Sequence, residues 1–382
     1  MKRNDIAGLT GLRGVAAMLI VVHHLGLLVM PLRDTVLGPA LEKCGLLGMS
    51  VFFVLSGFVI QYNYGNKVAS GSRDIVDFIV ARFARLYPLY FVFVVGNFAY
   101  THHVLPSYTQ FLPYNLLGIQ SWLYRVQDGV NVTLSQEYGN NAWSISTELM
   151  LYLLFIPLAL LVRFRSASLV RGLALLLIGV LGRVLLVHFA GSIGANMANV
   201  FGQTSIMPAD QWLIYFSPYG RFFEFLAGVG LAEMWMAGPL AATVRRIMTV
   251  LGCAGVAYIA ASFLDLTAFT APHWFEGDHL HIGYAIAVPL ATLAICLNGK
   301  VLCGNMAIWI GEISYSLYLI HGVMIPFFSG PDVAAGYALK GIMFISILII
   351  LATITHAYVE MPAKRFIIAK WRQRQVIAAE VA

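Results

Sequence analysis

The first apolar stretch, Leu9 to Met30 (LTGLRGVAAMLIVVHHLGLLVM), carries one arginine near its start and two histidines well inside. Ionisable side chains within an apolar span are costly and by default mark a pathway or a reaction site. Arg13 and His24 stand eleven positions apart. On a helix that is three turns, which puts them on nearly one face and about 16 Å apart along the axis. A guanidinium so placed either holds an anion or snorkels to lipid headgroups. An imidazole with a reference pKa of about 6.5 is neutral at pH 7 and can take a proton. Together they read as an anion-binding cation near one surface and a base deeper in. His23 points to a different face and reads as packing.

Further candidates follow along the chain. In VARFARLYPLY, Arg82 and Arg85 are three apart, hence on one face of a helix. They serve either as interfacial anchors or as paired forks for the phosphates of a cytoplasmic cofactor. In NNAWSISTELMLY, Ser144 is a candidate N-cap and Glu148 lies one turn in. That carboxylate either stabilises the helix start through the dipole, or orients a histidine, or binds a sugar hydroxyl. GEISYSLYLIH sets Ser314, Tyr315, Tyr318 and His321 on one span, as interhelical glue or as the lining of a polar cavity. Arg221 and Glu224 read as a local ion pair. Glu360 is expected to pair with cations at the inner surface, and Pro362 to end the last helix.

The elements that must position these groups are membrane helices. Of 382 residues, 59% are hydrophobic and 11% charged, and the mean hydropathy is +0.79. That composition excludes an ordinary soluble domain and implies an all-α polytopic membrane protein. Apolar runs mark a bundle of about ten transmembrane helices. They fall near 8–30, 45–64, 76–100, 147–164, 169–190, 218–237, 243–264, 281–298, 309–329 and 336–358. An even number puts both termini on one side. With that side cytoplasmic, the inner loops hold Lys67, Arg73, Arg163, Arg165, Arg171, Arg245, Arg246 and Lys300, joined by a basic tail. The outer loops hold Arg33, Lys43 and Arg125, with Arg183, Arg221 and Lys340 near outer helix ends. This asymmetry follows the positive-inside rule.

The net charge of +6 comes with no nucleic-acid motif, and the membrane accounts for it. Cys44, Cys253, Cys296 and Cys303 form no CxxC pair, so neither a disulfide framework nor a metal site is expected. Lys2 and Arg3 before an apolar run imitate a signal peptide, but the run is too long and more spans follow, so no cleavage is expected. The chain 1–382 reads as a single domain with a short basic cytoplasmic tail from about 361, lying on the inner surface. The outer segment 101–146, with His102 and His103, is too apolar around Phe111–Tyr124 for a free loop. It reads as a re-entrant or interfacial helix over the bundle mouth. Gly45, Gly48, Ser50, Ser56 and Gly57 in the second span read as a helix-packing face.

Taken in order, LRGVAAMLIVVHH, GMSVFFVLSGFVI, RFARLYPLY, WSISTELMLY, RFFEFLAG, GEISYSLYLIH and VEMPAKR resemble the acyltransferase 3 family of integral-membrane O-acyltransferases. The likeness spans nearly the whole chain. Ser144-Ile145-Ser146 stands where that family has a serine-leucine run, and Glu148 is followed by Leu149 where a second glutamate is frequent. The chain is expected to lack the extra span and the extracytoplasmic SGNH-type domain of some relatives. It would then acylate its acceptor itself or hand the acyl group to a separate protein.

The resemblance implies transfer of an acyl group, most often acetyl from acetyl-CoA, at a bacterial inner membrane. The acceptor would be a hydroxyl of a cell-surface or exported carbohydrate, such as lipopolysaccharide or exopolysaccharide, or of a glycolipid. It further implies Arg13, Arg82 and Arg85 on the coenzyme's phosphates and His24 as the catalytic base, or as the carrier of a covalent acyl group. Glu148 is the second catalytic candidate, holding the imidazole or the acceptor. Trp143, Ser144, Ser314, Tyr315, Tyr318 and His321 are expected to line the substrate cavity. No metal is expected. The competing class is a proton-coupled transporter of a small solute or sugar, which also needs histidines and carboxylates inside spans. Against it, the chain shows no inverted-repeat pair of broken spans.

Overall fold

The computed structural model describes residues 7–30, 32–101, 110–127, 130–134, 141–164, 166–202, 204, 207–238, 241–264, 279–298, 301–329 and 336–381. His102, His103, Arg165 and Lys300, all weighed above, fall outside them. The chain is a helical bundle. Its long helices are α1 (Ala7–His24), α2 (Gly38–Val68), α3 (Ser72–Thr101), α5 (Trp143–Val162) and α6 (Leu169–Phe201). They continue with α8 (Pro218–Met236), α9 (Ala242–Phe263), α10 (His279–Asn298), α11 (Asn305–Phe328), α12 (Tyr337–Thr355) and α13 (Met361–Val381). Between them stand two short pieces, α4 (Leu112–Leu117) and α7 (Ala209–Gln211). Helices satisfy every backbone group internally, which is what a bilayer requires of a spanning segment.

Among the described residues, nine helical runs are long and apolar enough to cross a membrane. α8 matches the sixth span of the sequence reading and is not among these nine. It has 19 residues but carries Arg221, Glu224 and Glu233, which lowers its apolar character. Those charges are tolerated because α8 is enclosed, packing chiefly on α2 and α6. Arg221 Nη1 reaches Glu224 Oε2 at 2.8 Å, the local pair read from the sequence. Arg183 joins from α6, its Nε 3.8 Å from Glu224 Oε1, and Ser50 Oγ donates to the same oxygen at 2.9 Å. Glu233 is paired with Arg171 of α6 and takes a bond from Gln61 Nε2 at 2.6 Å.

Two placements of cations differ from the sequence reading. Arg221 is buried but stands in the first turn of α8, near a helix end as read, whereas Arg183 is wholly buried (0% exposed) and far from either end of α6. The cause is length: α6 runs on to Phe201, so Arg183 sits in its middle. Lys43 is buried in α2, its Nζ 2.8 Å from the carbonyl of Ser262.

The small residues of α2 do form a packing face. A Cβ at Gly57 would lie 1.9 Å from the Phe225 carbonyl oxygen, and one at Gly228 would lie 1.9 Å from that of Val54. The backbones of α2 and α8 therefore touch at this crossing, as small residues permit.

Two local expectations are corrected. Pro362 does not end the last helix. A single π-turn, His356–Glu360, joins α12 to α13 without a break. Widening one turn relieves the clash and the lost donor that proline imposes on the preceding turn. The resulting rod is roughly 65 Å long at 1.5 Å per residue, about twice the hydrocarbon thickness of a bilayer. Its end packs on the start of α3, where Trp371 Nε1 donates to Asp77 Oδ1 at 2.7 Å.

The segment between α3 and α5 folds as more than one interfacial helix. Its described part holds α4, an antiparallel pair Val126–Gln127 with Val130–Asn131, and a 3₁₀ turn at Val132–Leu134. Buried hydroxyls and amides fix it to the bundle: Ser121 Oγ donates to Ser146 Oγ at 2.9 Å, and Trp122 Nε1 to the Ser146 carbonyl at 2.8 Å.

Candidate active site

Five helices, α1, α2, α3, α5 and α11, enclose one cavity of about 190 Å³. Its polar lining gathers Arg13, Arg82, Arg85, Ser144, Glu148, Tyr152, Ser314, Tyr315 and Tyr318, with an apolar wall that includes Met49, Phe52, Phe53 and Phe58. Eight residues singled out from the sequence therefore meet around one space, although they come from four separate helices. Each arrives by a local rule. Arg82 and Arg85 share a face of α3 through their spacing of three, and Ser144 and Glu148 share a face of α5 through their spacing of four.

The arginines are held rather than loose. Arg13 donates from Nε at 3.0 Å and from Nη2 at 2.5 Å to the carbonyl of Gly311 in α11. Arg82 Nη2 donates to Tyr64 Oη at 2.8 Å, and its guanidinium lies over the Tyr64 ring at 4.7 Å. Arg85 interacts electrostatically with Tyr152, Glu148, Glu360 and Tyr315. Glu148 accepts from Ser56 Oγ at 3.2 Å and from the hydroxyl of Tyr152. The cavity thus sets three cations against one lining carboxylate, which suits a polyanionic ligand part. Glu360 stands nearby on the π-turn, accepting from Ser316 Oγ at 2.7 Å and contacting His356 Nδ1 at 3.0 Å.

The hydroxyls of the cavity are bonded to one another or to backbone carbonyls. Ser144 Oγ donates to Tyr318 Oη at 2.7 Å, and Tyr318 Oη donates to the Asn141 carbonyl at 2.9 Å. Ser314 Oγ bonds the Gly311 carbonyl at 2.8 Å, and Tyr315 Oη the Leu86 carbonyl of α3 at 2.6 Å.

His24, His321 and Trp143 are not among the lining residues. The sequence reading had set His321 and Trp143 in a cavity lining, and the structure places them outside this one. His321 is fully buried and turned to α1, with its Nε2 3.0 Å from His24 Nδ1. Its ring meets that of Tyr318, one turn back on the same helix, at 5.4 Å between centroids. Trp143 points away from Ser144 and Glu148, packing on Tyr215 and Phe216 at 5.4 and 4.8 Å. The group beside His24 is accordingly His321, whereas Glu148 sits among the arginines. His23 is a satisfied core histidine, its Nδ1 2.8 Å from the Leu41 carbonyl.

Three features were not visible in the sequence. The His24–His321 contact joins residues 297 positions apart. Ser56 was read only as part of a packing face, and the bond of Tyr152 to Glu148 was not read, although Tyr152 lies one turn after it. The third is a π-turn, Leu25–Val29, that begins immediately after His24; such turns recur at functional sites.

With this geometry in view, the chain's relationships agree with it. The acyltransferase 3 family, described as an acyltransferase domain, matches residues 6–359. The chain belongs to that family. It is 25% identical over 380 residues to "Peptidoglycan O-acetyltransferase OatA" of Listeria monocytogenes, covering 95% of this chain and 56% of that protein. It is 25% identical to "O-acetyltransferase OatA" of Staphylococcus aureus, covering 94% of this chain and 57% of that protein. "Acyltransferase MdmB" of Streptomyces mycarofaciens is 27% identical over 404 residues, with 98% of this chain and 95% of that protein covered. The chain therefore spans a little over half the length of the two OatA proteins. No solved structure matches it.

Proposed function

We propose that the chain is a membrane O-acyltransferase that moves an acyl group, most simply acetyl, from acyl-CoA to a hydroxyl of a cell-surface or exported carbohydrate or glycolipid. In this reading residues 1–382 act as one domain in a bacterial cytoplasmic membrane, with the Arg13 end and both termini facing the cytoplasm. The observation that carries it is one cavity that gathers three arginines and also Tyr318, whose ring touches that of His321, the partner of His24. Size supports the same division of labour. About 190 Å³ is below the roughly 300–1,000 Å³ of ordinary ligand pockets. It suits a narrow pantetheine arm, with the nucleotide phosphates left at the arginines.

The chemistry follows from the groups present. The acceptor oxygen attacks the thioester carbonyl while His24 takes the hydroxyl proton. The carbon–sulfur bond then breaks, and the CoA thiolate receives that proton back from the imidazolium. A positioned base of this kind contributes about 10²–10⁴-fold. In the covalent variant His24 itself takes the acyl group before the acceptor binds. Ser144 and Tyr318 line the cavity, and either hydroxyl would have to turn from its present acceptor to donate to a developing oxyanion. A proton-coupled transporter would need none of the three arginines around a thioester-sized space, and membership of an acyltransferase family favours transfer.

The test is donor binding by the purified protein in nanodiscs. Arg82→Gln and Arg85→Gln are each expected to weaken acetyl-CoA binding about tenfold or more, the scale of one charged hydrogen bond. Binding of an acetyl-pantetheine thioester, which has no phosphates, should change little. Equal losses for both donors would show that the arginines do not hold phosphate.

A further inference from the structure

His24 Nδ1 and His321 Nε2 face each other at 3.0 Å, and a single hydrogen lies between two neutral imidazoles in such a contact. Which ring supplies it decides which nitrogen of His24 is left as a base. If His321 donated from Nε2, its Nδ1 would carry only a lone pair. That nitrogen is buried and has no partner in hydrogen-bond geometry. A side chain on α11 leans back over the preceding turn, so the acceptors beside the ring are the carbonyls of Leu317 and Tyr318 on its own helix. A lone pair set against carbonyl oxygens in a dry interior is repelled, whereas an N–H there is stabilised. His321 is therefore the Nδ1–H tautomer, its Nε2 accepts, and the hydrogen in the contact belongs to Nδ1 of His24.

We propose that His321 is a positioning residue that fixes His24 in its Nδ1–H tautomer, leaving the His24 Nε2 lone pair as the atom that takes the hydroxyl proton. The proposal rests on the reading of His24 as the base. It gives His321 the task that a carboxylate performs in a serine–histidine–aspartate triad. A neutral imidazole suits this place better than a carboxylate would. The surroundings in α1 and α11 are apolar, with Ala17, Val21, Ile313 and Leu317 in one buried cluster, where an ion would be costly. Two neighbouring side chains do not compete for the contact. His23, whose ring is 4.7 Å from that of His24, is committed to the Leu41 carbonyl. The hydroxyl of Tyr318 is committed to Asn141.

The test uses the full chain in nanodiscs with ring-¹⁵N histidine, and reads the His24 nitrogens by NMR in the wild type, His321→Ala and His321→Gln. His24→Gln in a parallel sample assigns the signals. The expected wild-type pattern is a protonated Nδ1 and an unprotonated Nε2 on His24, lost in His321→Ala and kept in His321→Gln, whose side-chain oxygen can accept. Release of CoA from acetyl-CoA, with octyl glucoside as the hydroxyl acceptor, is the second readout. His321→Ala should lower kcat about 10- to 100-fold, the usual scale for a group that orients a functional histidine. The donor KM should stay within about twofold, and Gln should restore most of the rate. A wild-type His24 protonated on Nε2 would overturn the proposal, as would a folded His321→Ala with wild-type kcat. Full activity in a His24→Ala variant would instead remove the base assignment on which the proposal stands.

Discussion

At the scale of single residues, the question is what each ionisable group of the cavity touches. Arg82 and Arg85 were legible because a spacing of three fixes their common face whatever the tertiary fold. Arg13 and His24 were legible for the same reason. What could not be read was the partner of each group, because partners lie on other helices. Glu148 looked like a companion of His24 from its place near a helix start, yet it is bonded by Ser56 and Tyr152 and stands with the arginines. His321 looked like one of several polar residues on a span and is the group in contact with His24. The two carry different expectations. Glu148→Gln should leave the protonation pattern of His24 unchanged in ¹⁵N spectra, while His321→Ala should alter it. The reverse result would return Glu148 to the imidazole.

At the scale of elements, the long apolar runs appeared in the sequence where helices stand, since length and hydropathy decide a span almost alone. The departures arose where a neighbour changes what a residue does. Pro362 normally breaks a helix, and here one π-turn absorbs it. Arg183 looked peripheral because the apolar run ended near it, but α6 continues to Phe201 and the arginine is matched by Glu224. The crossing of α2 and α8 offers a direct check. Gly228→Val would place a side chain against the Val54 carbonyl, where a Cβ has 1.9 Å. Overpacking of this kind costs about 1–3 kcal/mol or more and should lower the thermal unfolding midpoint in detergent. Gly96→Ala, where nothing lies within 4 Å, should leave that midpoint unchanged or raise it through helix propensity. Equal effects at both positions would contradict the packing described for α2 and α8.

At the scale of the whole molecule, two of the groups of charges in the bundle carry different expectations. One group lines the cavity. The other, Arg183, Arg221 and Glu224, is a buried network in the α6–α8 half of the protein. Removing one partner of a buried ion pair strands the other charge and costs about 3–5 kcal/mol. Glu224→Ala should therefore reduce folded yield and thermal stability, whereas Arg85→Gln, in a cavity where Arg13 and Arg82 remain, should cost little stability and act on donor binding. A stable, fully active Glu224→Ala protein would show the network to be dispensable. The central claim concerns the cavity and the histidine beside it. Its most direct measurement is the release of CoA from radiolabelled acetyl-CoA by purified protein in nanodiscs, with wild type and His24→Ala compared at equal folded yield. The account predicts release by the wild type and a loss of at least about 100-fold in the variant. Undiminished release by His24→Ala would contradict it.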